Sequence, residues 1–240
     1  MLEIKILTKI YKNGKKAVDN LSLTVKNGDI YGFIGHNGAG KTTTIKSIVG
    51  IHEFEEGSIL IDGVSIKDKP LQCKQNLAYI PDNPDLYEYL TGIQYLNFIA
   101  DVFNISDRDR KERIEKEAKD FGIFDVLGNL ISSYSHGMKQ KLAIIGALIH
   151  EPKLLVLDEP FVGLDPEASV KLKEKMHSLC KRGSSIFFST HVLDVAEKLC
   201  NHIAIISKGR LVVEGETEKL TKDKSLEELF MEVISNAKAD

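Results

Sequence analysis

Tyr31–Gly50 reads YGFIGHNGAGKTTTIKSIVG. With Asp29 and Ile30 it opens as a short apolar run, the pattern of a strand ending at Ile34. A glycine-rich loop follows, and a helix is predicted to begin near Lys41. Gly35 to Thr42 fits G-x-x-x-x-G-K-[ST]. Extra glycines let backbone N–H groups turn inward around a phosphate. The dipole of the helix favours negative charge at the same point. Gly35, Asn37, Gly38 and Gly40 therefore belong to an expected phosphate cradle. Lys41 is expected to reach the β- and γ-phosphates of a nucleotide, and the Thr42 hydroxyl to bind Mg²⁺.

On either side of this stretch the chain reads as α/β. Residues 2 to 34 are β in pattern: LEIKIL alternates, and LSLTV follows it. SILIDG and NLAYI are two more strands. From about Thr91 the period changes to helix, with Thr91 and Gln94 forming a capping box. SDRDRKERIEKEAKDFG reads as a charged helix with Ile114, Ala118 and Phe121 on its inner side. Met138, Leu142, Ile145 and Ile149 give the next helix one apolar face, behind Ser135 as N-cap. KLLVLD is then a continuous apolar run, expected of a strand covered on both faces. Asp165 and Pro166 start another helix, and SIFFST, HIAIIS and RLVVEG are three further strands. The last helix is SLEELFMEV, capped by Ser225 and Glu228. The expected organisation is a single domain over 1–240 with a helical subdomain inserted at about 84–148.

Composition narrows the function. The chain has 240 residues, is 42% hydrophobic and 28% charged, and carries a net charge of −3. That fits a soluble globular protein with a large core and gives no basic surplus for nucleic acid. Cys73, Cys180 and Cys200 match no metal spacing and read as buried thiols. No apolar run approaches the ~20 residues of a membrane span, which leaves room for a membrane partner on another chain.

A strand-end acid should complete the metal site. LLVLDEP supplies Asp158 and Glu159, and two adjacent acids closing a buried strand are costly without work to do. Asp158 is expected to hold Mg²⁺ through water and Glu159 to act as general base on the attacking water.

Together these motifs resemble the ATP-binding-cassette (ABC) ATPases over nearly the whole chain. Gly35–Thr42 resembles Walker A, and Leu154–Asp158 with Glu159 resembles Walker B. Tyr134-Ser135-His136-Gly137-Met138 is similar to the family signature, usually Leu-Ser-Gly-Gly-Gln. Gly163-Leu164-Asp165 resembles the D-loop, and His191 the switch histidine that contacts the γ-phosphate and positions water. The resemblance implies a P-loop NTPase core with a mixed sheet, an N-terminal antiparallel β portion and an inserted helical subdomain. It implies Mg²⁺-dependent ATP hydrolysis, with ATP and Mg²⁺ as ligands. It also implies a head-to-tail pair with a second copy or a paralogous ATPase. In that pair Ser135 and the backbone N–H of Gly137 meet the γ-phosphate of the partner's ATP.

The resemblance further implies a separate membrane permease subunit and a peripheral position on the inner, cytoplasmic face of the cell membrane. Signatures of the Tyr-Ser-x-Gly-Met kind, with a chain ending soon after SLEELF, resemble ABC-2-like exporters. A soluble ABC ATPase of assembly, such as the iron–sulfur cluster type, is the alternative. Tyr11 sits where the family stacks an aromatic on adenine, though it also suits a half-buried strand. Thr43 stands where one more phosphate contact is expected. Asp82 replaces the usual glutamine of the Q-loop, as a metal contact or only to shape the loop. His136 replaces a glycine, facing solvent or charged beside triphosphate. Tyr87, Tyr89 and Leu90 suit either a groove for the membrane subunit or plain packing of the helices.

Overall fold

The computed structural model describes residues 1–239, with side chains through Ser235. Asp240, the last residue of the expected domain, lies outside the described residues. The elements run β1 (Leu2–Ile10), β2 (Lys16–Val25), β3 (Ile30–Ile34), α1 (Lys41–Ile48), β4 (Glu56–Ile61), β5 (Val64–Ser65), α2 (Pro70–Asn76) and β6 (Leu77–Ile80). Then come α3 (Gly92–Val102), α4 (Asp107–Asp120), two 3-10 turns at Phe124–Val126 and Ile131–Ser133, α5 (His136–Leu148) and β7 (Leu154–Asp158). The chain closes with α6 (Pro166–Lys181), β8 (Ser185–Thr190), α7 (Leu193–Leu199), β9 (His202–Ser207), β10 (Arg210–Glu216), α8 (Thr217–Leu220) and α9 (Leu226–Ala239).

Two sheets carry the molecule. A small antiparallel sheet has the order β2-β1-β4-β5, and a larger mixed one the order β10-β9-β3-β8-β7-β6. All neighbours in the larger sheet are parallel except β9 and β10. Every residue of β3, β7 and β8 is buried. Parallel strands covered on both faces require this, and it explains their unbroken apolar runs. The period of two then sorts their side chains between two cores. Tyr31, Phe33, Leu154, Val156 and Phe187 face one, with Ile45 and Ile48 of α1. Ile30, Ile34, Leu155, Leu157, Ile186 and Phe188 face the other, with the helices between β6 and β7.

Local signals set the helix starts. The Thr91–Gln94 capping box closes in both directions. Ser106, Ser135 and Asp165 each accept a bond from the third residue on. One expectation is widened. Helix α5 is buried nearly all round from Leu142 to Leu148, not along a single stripe, because it packs on α3, α4 and β6 together. Strand β2 starts five residues before LSLTV, and β5, α2 and α8 were not foreseen.

The register puts strand ends side by side. Ile34 pairs with Thr190, and Asp158 with Ser189. Gly35, Glu159 and His191 therefore leave the sheet together at its carboxyl edge, where α/β folds bind ligands.

Candidate nucleotide site

Above this edge lies a cavity of about 360 Å³ lined by the loop residues from His36 to Thr43 other than Ala39, with Tyr11, Lys15, Ala17, Asp82 and Glu159. The loop's shape depends on two glycines. Gly40 has φ +113, and a Cβ there would meet the Ala17 carbonyl at 2.5 Å. Gly35 has ordinary φ, but its Cβ would meet the Ile206 carbonyl at 2.7 Å. The β9–β10 turn presses on the loop from behind, where the Gly209 N–H donates to the Ala39 carbonyl at 2.9 Å. Lys41 folds back into the loop: its Nζ donates to the Gly35 carbonyl at 2.7 Å and stands 3.4 Å from Glu159 Oε1.

Glu159 lines the cavity, and Asp158 is buried beside it at the end of β7. Ser189 Oγ donates to Asp158 Oδ1 at 2.5 Å. Burial pushes the Asp158 carboxyl up, helped by the charges of Asp82 and Glu159. Ser189 pulls it down, as does Thr42 by a looser contact outside hydrogen-bonding geometry. Its Oδ2 is buried without a hydrogen-bond partner among the described residues. An orphaned acidic oxygen beside a hydroxyl suits a hard dication whose other ligands are phosphate oxygens and water. Among the described residues no three His, Cys, Asp or Glu side chains converge to hold a metal alone. The residues present therefore fit Mg²⁺ carried in with a nucleotide.

Glu159 adopts φ 50, a strained value for a residue with a side chain. Its N–H donates to Ser189 Oγ at 3.1 Å, and its Oε2 lies 3.0 Å from His191 Nδ1. The carboxylate thus bridges the loop lysine and an exposed imidazole. Tyr11, at the other end, shares a hydrogen bond between its hydroxyl and Thr43 Oγ1 at 3.0 Å, and its ring stands edge-on to His52. Asp82 is exposed at the cavity rim, and its Oδ1 accepts from the Asn83 N–H.

Ser135 and Gly137 are not in this cavity. Ser135 caps α5, accepting from the Met138 N–H at 3.3 Å. Gly137 and His136 lie instead against Gly163: a Cβ on Gly163 would come 2.7 Å from His136 Cδ2. His136 is exposed. Ser189, Lys15, Ala17 and His52 escaped the sequence reading. Only Ser189 left a trace, as the polar penultimate residue of a buried strand. A larger hollow of about 450 Å³ near Met1 and Gly183 holds ion pairs such as Lys153–Asp62 and no such convergence.

Fold and cavity define a P-loop nucleoside-triphosphate-binding protein. Residues 18–162 match the family model described as ABC transporter, and the chain belongs to that family. It is 36% identical over 238 residues to the ABC-type transporter ATP-binding protein EcsA of Bacillus subtilis, covering 97% of this chain and 96% of that one. It is 39% identical over 217 residues to the bacitracin transport ATP-binding protein BcrA of Bacillus licheniformis, covering 90% of this chain and 70% of that one. A solved ATP-binding subunit of an ABC transporter superposes with TM-score 0.93 at 35% identity, covering 98% of this chain and 99% of that one. No described helix is long and apolar enough to cross a membrane.

Proposed function

We propose that this chain hydrolyses Mg-ATP to drive a transporter whose membrane permease is a separate subunit. The observation that carries the reading is the Glu159 carboxylate, held between Lys41 and His191 at the mouth of the phosphate loop. In this reading residues 1–240 form one ABC ATPase domain with the helical subdomain at about 84–148. Gly35, Asn37, Gly38 and Gly40 cradle the phosphates, Lys41 and Thr43 contact them, and Tyr11 stacks on the adenine. Glu159 takes the proton of the attacking water, and His191 orients Glu159 and the γ-phosphate. Thr42, Asp158 and Asp82 would hold Mg²⁺, which supplies charge neutralisation on the transferred phosphoryl group.

A second copy, or a paralogous ATPase, completes the site. Ser135 and Gly137 lie outside the chain's own cavity at a helix N-terminus, which suits an anion brought by a partner. Tyr87, Tyr89 and Phe98 form an exposed aromatic cluster, beside a hollow of about 250 Å³ floored by Tyr95, Phe103 and His150. That surface would receive the permease subunit, placing this chain on the inner face of the cell membrane. The likeness to a bacitracin transport ATP-binding protein supports transport, and export is proposed on the resemblance of Tyr134–Met138 to the signatures of ABC-2-like exporters.

The test is the solution mass of Glu159→Gln protein by size exclusion with and without Mg-ATP. A shift to dimer with Mg-ATP, abolished by Ser135→Arg, is expected. A monomer that binds ATP but never pairs would sink the two-copy site. Failure of the native protein to sediment with membranes would favour a soluble assembly ATPase.

A further inference from the structure

Tyr79 lies on β6 opposite Val156 of β7, and Asp158 is two residues further along β7 on the same face. Diagonal neighbours on adjacent strands are within reach of a long aromatic side chain. The Tyr79 ring packs against the core that holds Val156. Its phenolic oxygen is buried, yet has no hydrogen-bond partner among the described residues. Asp158 Oδ2 is in the same position.

A donor and an acceptor thus stand unpartnered on one sheet face without bonding each other. Each is costly alone, and buried polar groups of this kind are normally joined by an ordered water. Burial, with the Asp158 and Asp82 charges, pushes the phenol far above its ordinary range. It therefore stays protonated, with a proton to donate. A phenylalanine would pack equally well on β7, so packing alone does not account for the hydroxyl.

We propose that Tyr79 is a positioning residue for the divalent cation: its hydroxyl donates to a water that in turn holds Asp158 Oδ2 in place to receive the ion. The inference rests on the reading of the cavity as a Mg-ATP site. Tyr79 touches neither nucleotide nor metal and acts through Asp158.

The experiment measures the affinity of a fluorescent ATP analogue, in Mg²⁺ and in EDTA, for the full chain and its Tyr79→Phe, Asp158→Asn and doubly substituted forms. The readout is the ratio of Kd in EDTA to Kd in Mg²⁺. Tyr79→Phe keeps the ring and should leave Kd in EDTA within twofold. It should cut the Mg²⁺ gain about fivefold, the scale of one hydrogen bond. In the Asp158→Asn background it should cut nothing further. An unchanged gain in Tyr79→Phe, or an equal extra loss in the Asp158→Asn background, overturns the role of Tyr79 alone. A wild-type chain with no Mg²⁺ gain overturns the Mg-ATP reading and this inference with it.

Discussion

Glu159 Oε2 and His191 Nδ1 stand 3.0 Å apart, and the Glu159 side chain also accepts from the His191 backbone N–H at 3.3 Å. Two contacts to one residue fix the carboxylate's direction as well as its place. The pair should act as a unit. Glu159→Gln is expected to slow phosphate release about 10²–10⁴-fold, the range of a lost general base. His191→Ala should cost less, and the double variant no more than Glu159→Gln alone. Losses that multiply in the double variant would show two independent roles.

Asp158 gives a pH signature in the nucleotide-free protein. Burial raises its folded-state pKa above the ordinary 3.8. The folded chain then binds more protons than the unfolded chain in that window, so stability falls as pH rises from 3.8 through the raised value. Asp158→Asn removes this loss and should melt above the wild type at neutral pH, by roughly 2–4 °C per kcal/mol recovered. The same variant should lose most of the extra stability that Mg-ATP confers. A nucleotide-free variant melting below wild type at pH 7 would mean the carboxylate is a net stabiliser.

Tyr11 separates ring from hydroxyl. Tyr11→Phe loses the bond to Thr43 and the longer one, 3.5 Å, to His52 Nε2, and should weaken ATP binding about two- to fivefold. Tyr11→Ala loses the ring as well and should weaken it about tenfold or more. Inorganic triphosphate, which has no base, should bind Tyr11→Phe and Tyr11→Ala equally by calorimetry, since both lack the hydroxyl that meets Thr43 and they differ only in the ring. A further loss of triphosphate affinity from Tyr11→Phe to Tyr11→Ala would move the ring from the base to the phosphate loop.

Two glycines in one loop should respond differently. Gly38 has φ +81 and open space around it, so Gly38→Ala costs only the left-handed backbone, about 1 kcal/mol. Gly40→Ala adds a Cβ at 2.5 Å from the Ala17 carbonyl, a backbone atom that cannot step aside cheaply. Nucleotide affinity is expected to fall more than tenfold in Gly40→Ala and severalfold at most in Gly38→Ala. Equal losses in calorimetric titrations would assign both effects to the dihedral angle.

The sequence displayed what local physics fixes. The strand–loop–helix around Lys41, the Thr91–Gln94 box and the caps at Ser135 and Asp165 each depend on neighbours within a few residues. Helix α2 was illegible because only Cys73 of its seven residues is buried, which leaves no period to detect. The first half of β2 was illegible because Asp19 is satisfied by Arg210, 2.6 Å away and 191 residues along the chain. In the site, Lys41, Asp158, Glu159 and His191 came from motifs. Ser189 and Tyr79 did not, since their partners are set by parallel strand register, which no short stretch of sequence encodes.

That register also dictates when the site can exist. Strand β3 and the loop after it emerge early from the ribosome, yet Ile30 pairs with Ile186, and Gly32 with Ile203. Until those partners are made, β3 lacks both of its neighbours, and the 73 residues between Ile80 and Leu154 must already be gathered into their helices. Long-range parallel pairing is slow to form. A nascent chain truncated before Ser185 therefore carries the whole phosphate-loop sequence while β3 has neither neighbour, and ATP protects the chain from protease only once β8 and β9 have been made.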